Sequence, residues 1–260
     1  MREFLEDLGE GNDPVRQTQK AMRKQLPRRF YKTVTVAPSP GGFGVLLDGK
    51  PVRTPARQLL VMPTHAAAAL IGQEFEGQAT GINPALMPVT RLANTVIDAI
   101  ASDSQAVLED LMRFAASDLL CYRATAPREL VERQVLLWDP VIDWLRNSHG
   151  ANFVLAEGVI HVAQPQSALV LFGAMLQSHA EPFRLGCLHM FATLTGSAML
   201  AVAIAEGFLS PDQAWTAGCL DEDWNASHWG EEAEAGARRH NRGCEMSAAG
   251  NLLDALSATS

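Results

Sequence analysis

The residues most able to act on another molecule are concentrated in LDEDWNASHWGEEAEA (220–235). Acids and indoles alternate there, and three chemical uses follow. Carboxylates held close together do general acid–base work when a pocket and a proton partner accompany them. Tryptophans set among acids make a protein-binding surface, because Trp anchors interface hot spots and charge sets orientation and association rate. The same pattern also serves as a solvated helix face with anchored aromatics. The residues singled out for partner binding are Glu222, Trp224, Trp229, Glu232 and Glu234. The alternative function is that of a small-molecule enzyme with an acidic site on these C-terminal helices.

Other catalytic patterns are missing from the sequence. There is no GxxxxGK[ST], GxSxG or HExxH. GGFG (41–44) falls between two strand patterns and so cannot present a helix N-terminus to phosphate. The seven histidines do not pair at helical spacing, and Cys187 and His189 face different sides of a helix. Four cysteines without a CxxC indicate neither a disulfide framework nor a zinc ribbon, and Cys187 reads as a packed thiol. No catalytic residue, metal or cofactor is therefore expected. In DLLCYR (118–123), Tyr122 and Arg123 are placed to brace the next helix through Asp139 or Glu132. The stripe Arg91, Asn94, Asp98 is assigned to satisfying loop backbone.

The elements that carry these groups divide in two. Residues 30–36, 43–47, 50–53 and 58–62 have strand character, with Asp48-Gly49 supplying a type I′ hairpin turn. Thr64 caps a helix through Phe75. From Val89 the period is helical: Val89, Leu92, Ala93, Val96, Ile97 and Ile100 share a face. Further helices are expected with a stripe at Leu108, Leu111, Met112, Ala115 and Leu119, and from Pro127 with a break at Asp139-Pro140. A short hairpin (152–155 with 159–162) and helices over 167–178 and from Ser210-Pro211 follow, the last broken at Gly230 and Gly243. This makes seven or eight helices in the C-terminal two-thirds. Residues 185–205 lack Asp, Glu, Lys and Arg, and one helix of that length measures about 30 Å. His189, Thr193, Thr195, a short flank and the lack of a second such segment favour a buried central helix over a membrane span; the many small residues suit either setting, with Gly196-Ser197 as a close-packing pair.

The expected fold class is α+β. A small antiparallel β-rich N-terminal domain (27–85) precedes a larger α-helical domain (86–260) with a buried central helix, and residues 1–26 form a mobile or peripheral arm. The net charge of −8 argues against nucleic acid, because phosphate contact needs a basic face. Residues 1–30 have no secretory apolar core and carry acids that import peptides lack, so a bacterial cytoplasm is the simplest location.

RRFYK (28–32), LLDGKPVRTP (46–55), MPVTRLANTVID (87–98), DLLCYRA (118–124), QVLLWDPVIDW (134–144), GSAMLAVA (196–203) and LDEDWNASHWGEEAEA (220–235) together resemble one family. It is the assembly chaperones of the F1-ATPase α subunit, found in mitochondria and α-proteobacteria. The pieces occur in the family's order across most of residues 28–236. The resemblance implies a β-rich N-terminal and a helical C-terminal domain. It also implies that the chain binds the unassembled α subunit, shields a surface destined for β, and needs neither cofactor nor membrane insertion. Eukaryotic relatives would act in the mitochondrial matrix. The family's essential C-terminal acid maps to Glu222, Glu232 or Glu234. The family commonly has Gln where this chain has Asn225, and Asp where it has Glu232.

Overall fold

The computed structural model describes residues 26–158, 161–230 and 232–258. The arm expected over 1–26 lies outside them except for Leu26. β1 (Val34–Ser39) and β2 (Gly42–Leu47) form an antiparallel hairpin, and β3 (Lys50–Pro51) and β4 (Val61–Met62) pair with β2. The second turn has Asp48 at φ 48° and Gly49 at φ 77°, the positive values that a type I′ turn requires. The Asp48 carboxylate also accepts from the Lys32 and Thr33 N–H groups, which lowers its pKa.

Helix α1 (His65–Glu76) is capped by Thr64, whose Oγ1 accepts from Ala67 N at 3.1 Å and donates to the Ala255 carbonyl at 2.8 Å. That second bond ties the sheet to the last helix. The first body helix, α2 (Pro88–Thr95), is capped by Glu74, which accepts from Val89 N and Thr90 N, each at 2.7 Å. A π-turn (Val96–Ile100) extends α2, and its Asp98 accepts from Thr54 Oγ1 and Ala56 N in the loop after β3.

Then come α3 (Ser104–Ala116), β5 (Tyr122–Arg123), α4 (Arg128–His149), β6 (Ala156–Glu157), α5 (Gln166–Ser178), α6 (Pro182–Thr195), α7 (Ala198–Ala205), α8 (Pro211–Gly218), α9 (Leu220–Trp229) and α10 (Ala233–Ser257). After residue 86 the described residues thus hold nine α-helices, not seven or eight. One apolar core runs from Tyr31 through Trp138, Phe172 and Phe191 to Leu253.

The apolar run 185–205 is not one helix. It divides into α6 and α7, with Gly196 in the left-handed region at φ 72° and Ser197 capping α7 through Leu200 N. Gly196-Ser197 is therefore a break rather than a packing point. The partner that makes the break affordable is Asp118, wholly buried. Its carboxylate accepts from Met199 N and Leu120 N, each at 3.1 Å, so it caps α7 and the short 3-10 turn Leu119–Cys121 together. No helix of the described residues is long and apolar enough to cross a membrane. Both halves remain buried, and α6 crosses the π-turn at Gly186, where a Cβ would stand 2.5 Å from Val96 Cγ2.

Three other expectations are corrected. α4 runs through Asp139-Pro140 unbroken. Pro140 frees the Leu136 carbonyl, but Leu136 lies on an exposed face where water satisfies it. Asp139 does not cap; it pairs with Arg123 at 2.6 Å. α10 continues through Gly243, whose bare Cα lies along the Trp215 ring. The hairpin expected over 152–162 is replaced, for its described residues, by a parallel pairing of β6 with β5 (residues 159 and 160 are outside the description).

Burial raises the Asp118 pKa from 3.8 to about 6. The native state thus binds this proton more tightly than the unfolded chain. Its contribution to stability is complete below pH about 4 and is lost as pH rises through about 6. Urea unfolding at pH 4.5 and 7.5 should therefore show a larger wild-type advantage over Asp118→Asn at the lower pH. Asp118→Ala, which strands two buried N–H groups, should cost about 2–4 kcal/mol at either pH. In Gly218→Ala the new methyl would meet Thr195 Cβ at 2.6 Å. Overpacking of that kind should cost about 1–3 kcal/mol by the same measurement.

Candidate partner-binding surface

α9 lies on the outside of the helical body, and of its residues only Leu220 is buried. Its first turn carries Asp221, Glu222 and Asp223, where the helix dipole favours acids. Opposite stands the first half of α10 with Arg238, Arg239 and Arg242. Arg242 grips Glu222 with two bonds, Nη1 to Oε1 at 3.0 Å and Nη2 to Oε2 at 2.8 Å. The bonds to Glu222 raise the Arg242 pKa further. Arg239 pairs with Asp223 at 2.5 Å. The pairings 222 with 242 and 223 with 239 run in opposite directions along the two helices, as in a helical hairpin.

Between α9 and α10 lies a groove of about 470 Å3, lined by Glu222, Ala226, Trp229, Glu232, Ala235 and the three arginines among others. It brings together three of the five residues singled out in the sequence. Trp229 ends α9 with 86% of its surface exposed, just before Gly230 turns the chain at φ 84°. Glu232 opens α10 at its N-cap with no side-chain cap bond. The other two point elsewhere. Trp224 faces α4, its ring under the Arg133 guanidinium at 5.0 Å and 4.2 Å from the His228 ring. Glu234 is not part of the groove lining and pairs with Arg238 at 2.6 Å along its own helix.

The groups on this surface suit docking better than proton transfer. Glu222 and Glu234 are each engaged by an arginine, so neither stands free as a proton-transfer group. Charge-neutralised walls around an exposed indole suit a peptide surface with apolar and polar parts. Sequence reading missed the arginines that answer the acids. The available signal was a row of acids followed about 20 residues later by arginines at i, i+1 and i+4.

A second groove, of about 930 Å3, runs between α1 and α10. Leu70, Leu86, Val89, Trp215 and Met246 supply its apolar lining, and Arg239 is common to both grooves. The braces below are firm. Trp138, fully buried on α4, donates from Nε1 to the Ala217 carbonyl of α8 at 2.8 Å. Arg123 lies over its ring, and Gln134 donates from Nε2 to Asp221 at 3.3 Å.

Comparison with known proteins assigns the class. Residues 28–146 match the family model described as ATP12 chaperone protein. The crystal structure of Atu1473 protein, a putative chaperone from Agrobacterium tumefaciens, is 52% identical, with a TM-score of 0.85 over 95% of this chain and 92% of that one. Atp12 from Paracoccus denitrificans is 36% identical, with a TM-score of 0.81 over 88% and 98%. Protein atp12, mitochondrial, of Schizosaccharomyces pombe is 23% identical over 220 residues, which is 80% of this chain and 75% of that protein. The α+β fold, with its small antiparallel sheet ahead of a helical body, is shared with the Atp12 structure, and the class is that of chaperones. The chain belongs to the ATP12 family and is an ATP12-type F1-ATPase assembly chaperone.

An exposed surface should tolerate truncation that the core does not. Trp229→Ala and Glu234→Gln are expected to stay within about 0.5 kcal/mol of wild type in urea unfolding. Trp138→Ala should lose about 3–5 kcal/mol through its cavity and its stranded carbonyl partner.

Proposed function

We propose that the protein binds the unassembled α subunit of F1-ATPase and covers a surface of it that later meets the β subunit. An oligomeric subunit exposes apolar patches before assembly, and those patches aggregate unless a partner occupies them. The reading is supported most by one observation. A member of an F1 assembly chaperone family leaves Trp229 86% exposed at the mouth of a groove between two outer helices. Release is by exchange for β, without catalysis or cofactor. The work is done where subunits await assembly, the cytoplasm of a bacterium.

Glu222, Trp224, Trp229, Glu232 and Glu234 are the residues we assign to the partner-binding surface, some by touching the client and some by holding α9. Trp229 supplies the apolar anchor, and Glu232 the carboxylate with no ion-pair partner among the described residues. Trp224 and Glu222 hold α9 in place.

Isolated α and β subunits offered separately to the immobilised chaperone test the reading. Retention of α well above β and above an unrelated protein is expected, with no retention of the finished hexamer. Retention of α no better than of the unrelated protein overturns it. Trp229→Ala and Glu232→Lys should each weaken α binding about tenfold, about 1.4 kcal/mol, in a titration calorimeter. Glu234→Lys should also weaken it, while thermal unfolding of all three variants stays near wild type.

A further inference from the structure

α9 is held differently from every helix beneath it. Its grip on the body is almost wholly polar: Glu222 on Arg242, Asp223 on Arg239, Trp224 under Arg133, and Asp221 on Gln134. Only Leu220 at its base is buried, beside the buried Cys219. Its far end stops at Gly230, which holds a positive φ of 84° with no side-chain packing near the place of a Cβ. Local opening free energy follows buried apolar contact, and α9 has little of it. The buried helices α6 and α7 lie at the other extreme.

What α9 covers is equally specific. Arg242 lies over Trp215 at 5.2 Å and reaches Cys219 Sγ at 3.6 Å, while its buried Nε meets no hydrogen-bond partner among the described residues. Trp215 and Arg239 belong to the larger groove, and Arg239 and Arg242 to the smaller. Swinging α9 away would free both guanidinium groups and uncover the arginine face of α10 beside Trp215, next to the larger groove.

We propose that α9 is a salt-latched flap: Glu222 and Asp223 occupy Arg242 and Arg239 in the free protein, and a carboxylate-bearing, apolar segment of the client displaces them to lie on the arginine face of α10 beside Trp215. The pairing fits charge to charge, because the client's acids would take over bonds already formed by the chain's own. The client half of this rests on the function proposed above, whereas the latch is a property of the free protein.

Hydrogen exchange on the full chain, read by mass spectrometry, tests the latch. The variant Glu222→Gln/Asp223→Asn removes both charges and keeps the side-chain shapes. Exchange of peptides covering 221–229 should rise about tenfold in that variant, equivalent to about 1.4 kcal/mol of opening free energy. It should rise similarly in the wild type between 50 mM and 1 M NaCl, as salt screens the pairs. Peptides covering 182–205 should not change. Glu234→Gln, which neutralises an acid outside the latch, should leave 221–229 at the wild-type rate. Unchanged exchange in the double variant overturns the proposal, and so does acceleration spread over 182–205, which would make α9 an integral part of the core. Association with isolated α subunit should be faster for the double variant than for wild type. Faster exchange with an unchanged association rate overturns the gating role. If the wild type fails to bind α at all, the client assignment falls, while the exchange data still decide the latch.

Discussion

The helical body depends on one buried carboxylate. Asp118 has no exposed surface, and the groups that hold it are N–H donors at helix starts. Each donor would otherwise be an unsatisfied group in an apolar core. The carboxylate answers two helix termini at once and so fixes the point at which the chain turns from α6 into α7. The geometry closes with Leu119 N donating to the Gly196 carbonyl at 3.3 Å. Desolvation opposes the charge, which is why its proton affinity rises, and the oriented donors oppose desolvation. Every helix packed on α6 and α7 inherits its position from this arrangement.

The same device joins the sheet to the body. Glu74 caps α2 from α1, and Asp98 holds the loop after β3 from the π-turn. Both are carboxylates of one element satisfying N–H groups of another, distant in sequence. A helix N-terminus costs little to bring against another element when the acid that caps it is supplied by that element. Glu74 is largely desolvated in this role, and its pKa is raised accordingly.

The outer surface follows different rules. Where the core uses apolar contact and capped termini, α9 uses ion pairs and cation–aromatic contacts, which are individually weak and exchangeable. A polar hold of this kind leaves room for competition by other charged groups. The acids at 221–223 and 234 were legible in the sequence as a charged, Trp-bearing segment, but their state was not. Whether Glu222 is a free acid or half of a bidentate pair depends on Arg242, twenty residues away, and on the angle at which two helices meet.

Local chemistry set much of the structure from the sequence alone. Asp48-Gly49 dictates its hairpin turn, Thr64 and Ser210 their helix caps, and the period from Val89 its buried face, because each rests on residues within a few positions of one another. Residue order along most of the chain also made the family legible. Tertiary structure decided the rest. The run 185–205 reads as one helix because it is apolar throughout; Gly196-Ser197 is a local stop-and-start pair, but the buried acid that makes the break possible, Asp118, lies some eighty residues away. Asp139-Pro140 reads as a break because proline frees a carbonyl, yet Leu136 faces water and Asp139 has Arg123. Short-range conformational preferences are written in neighbouring residues, whereas the satisfaction of a buried or freed polar group depends on which distant element the fold brings beside it.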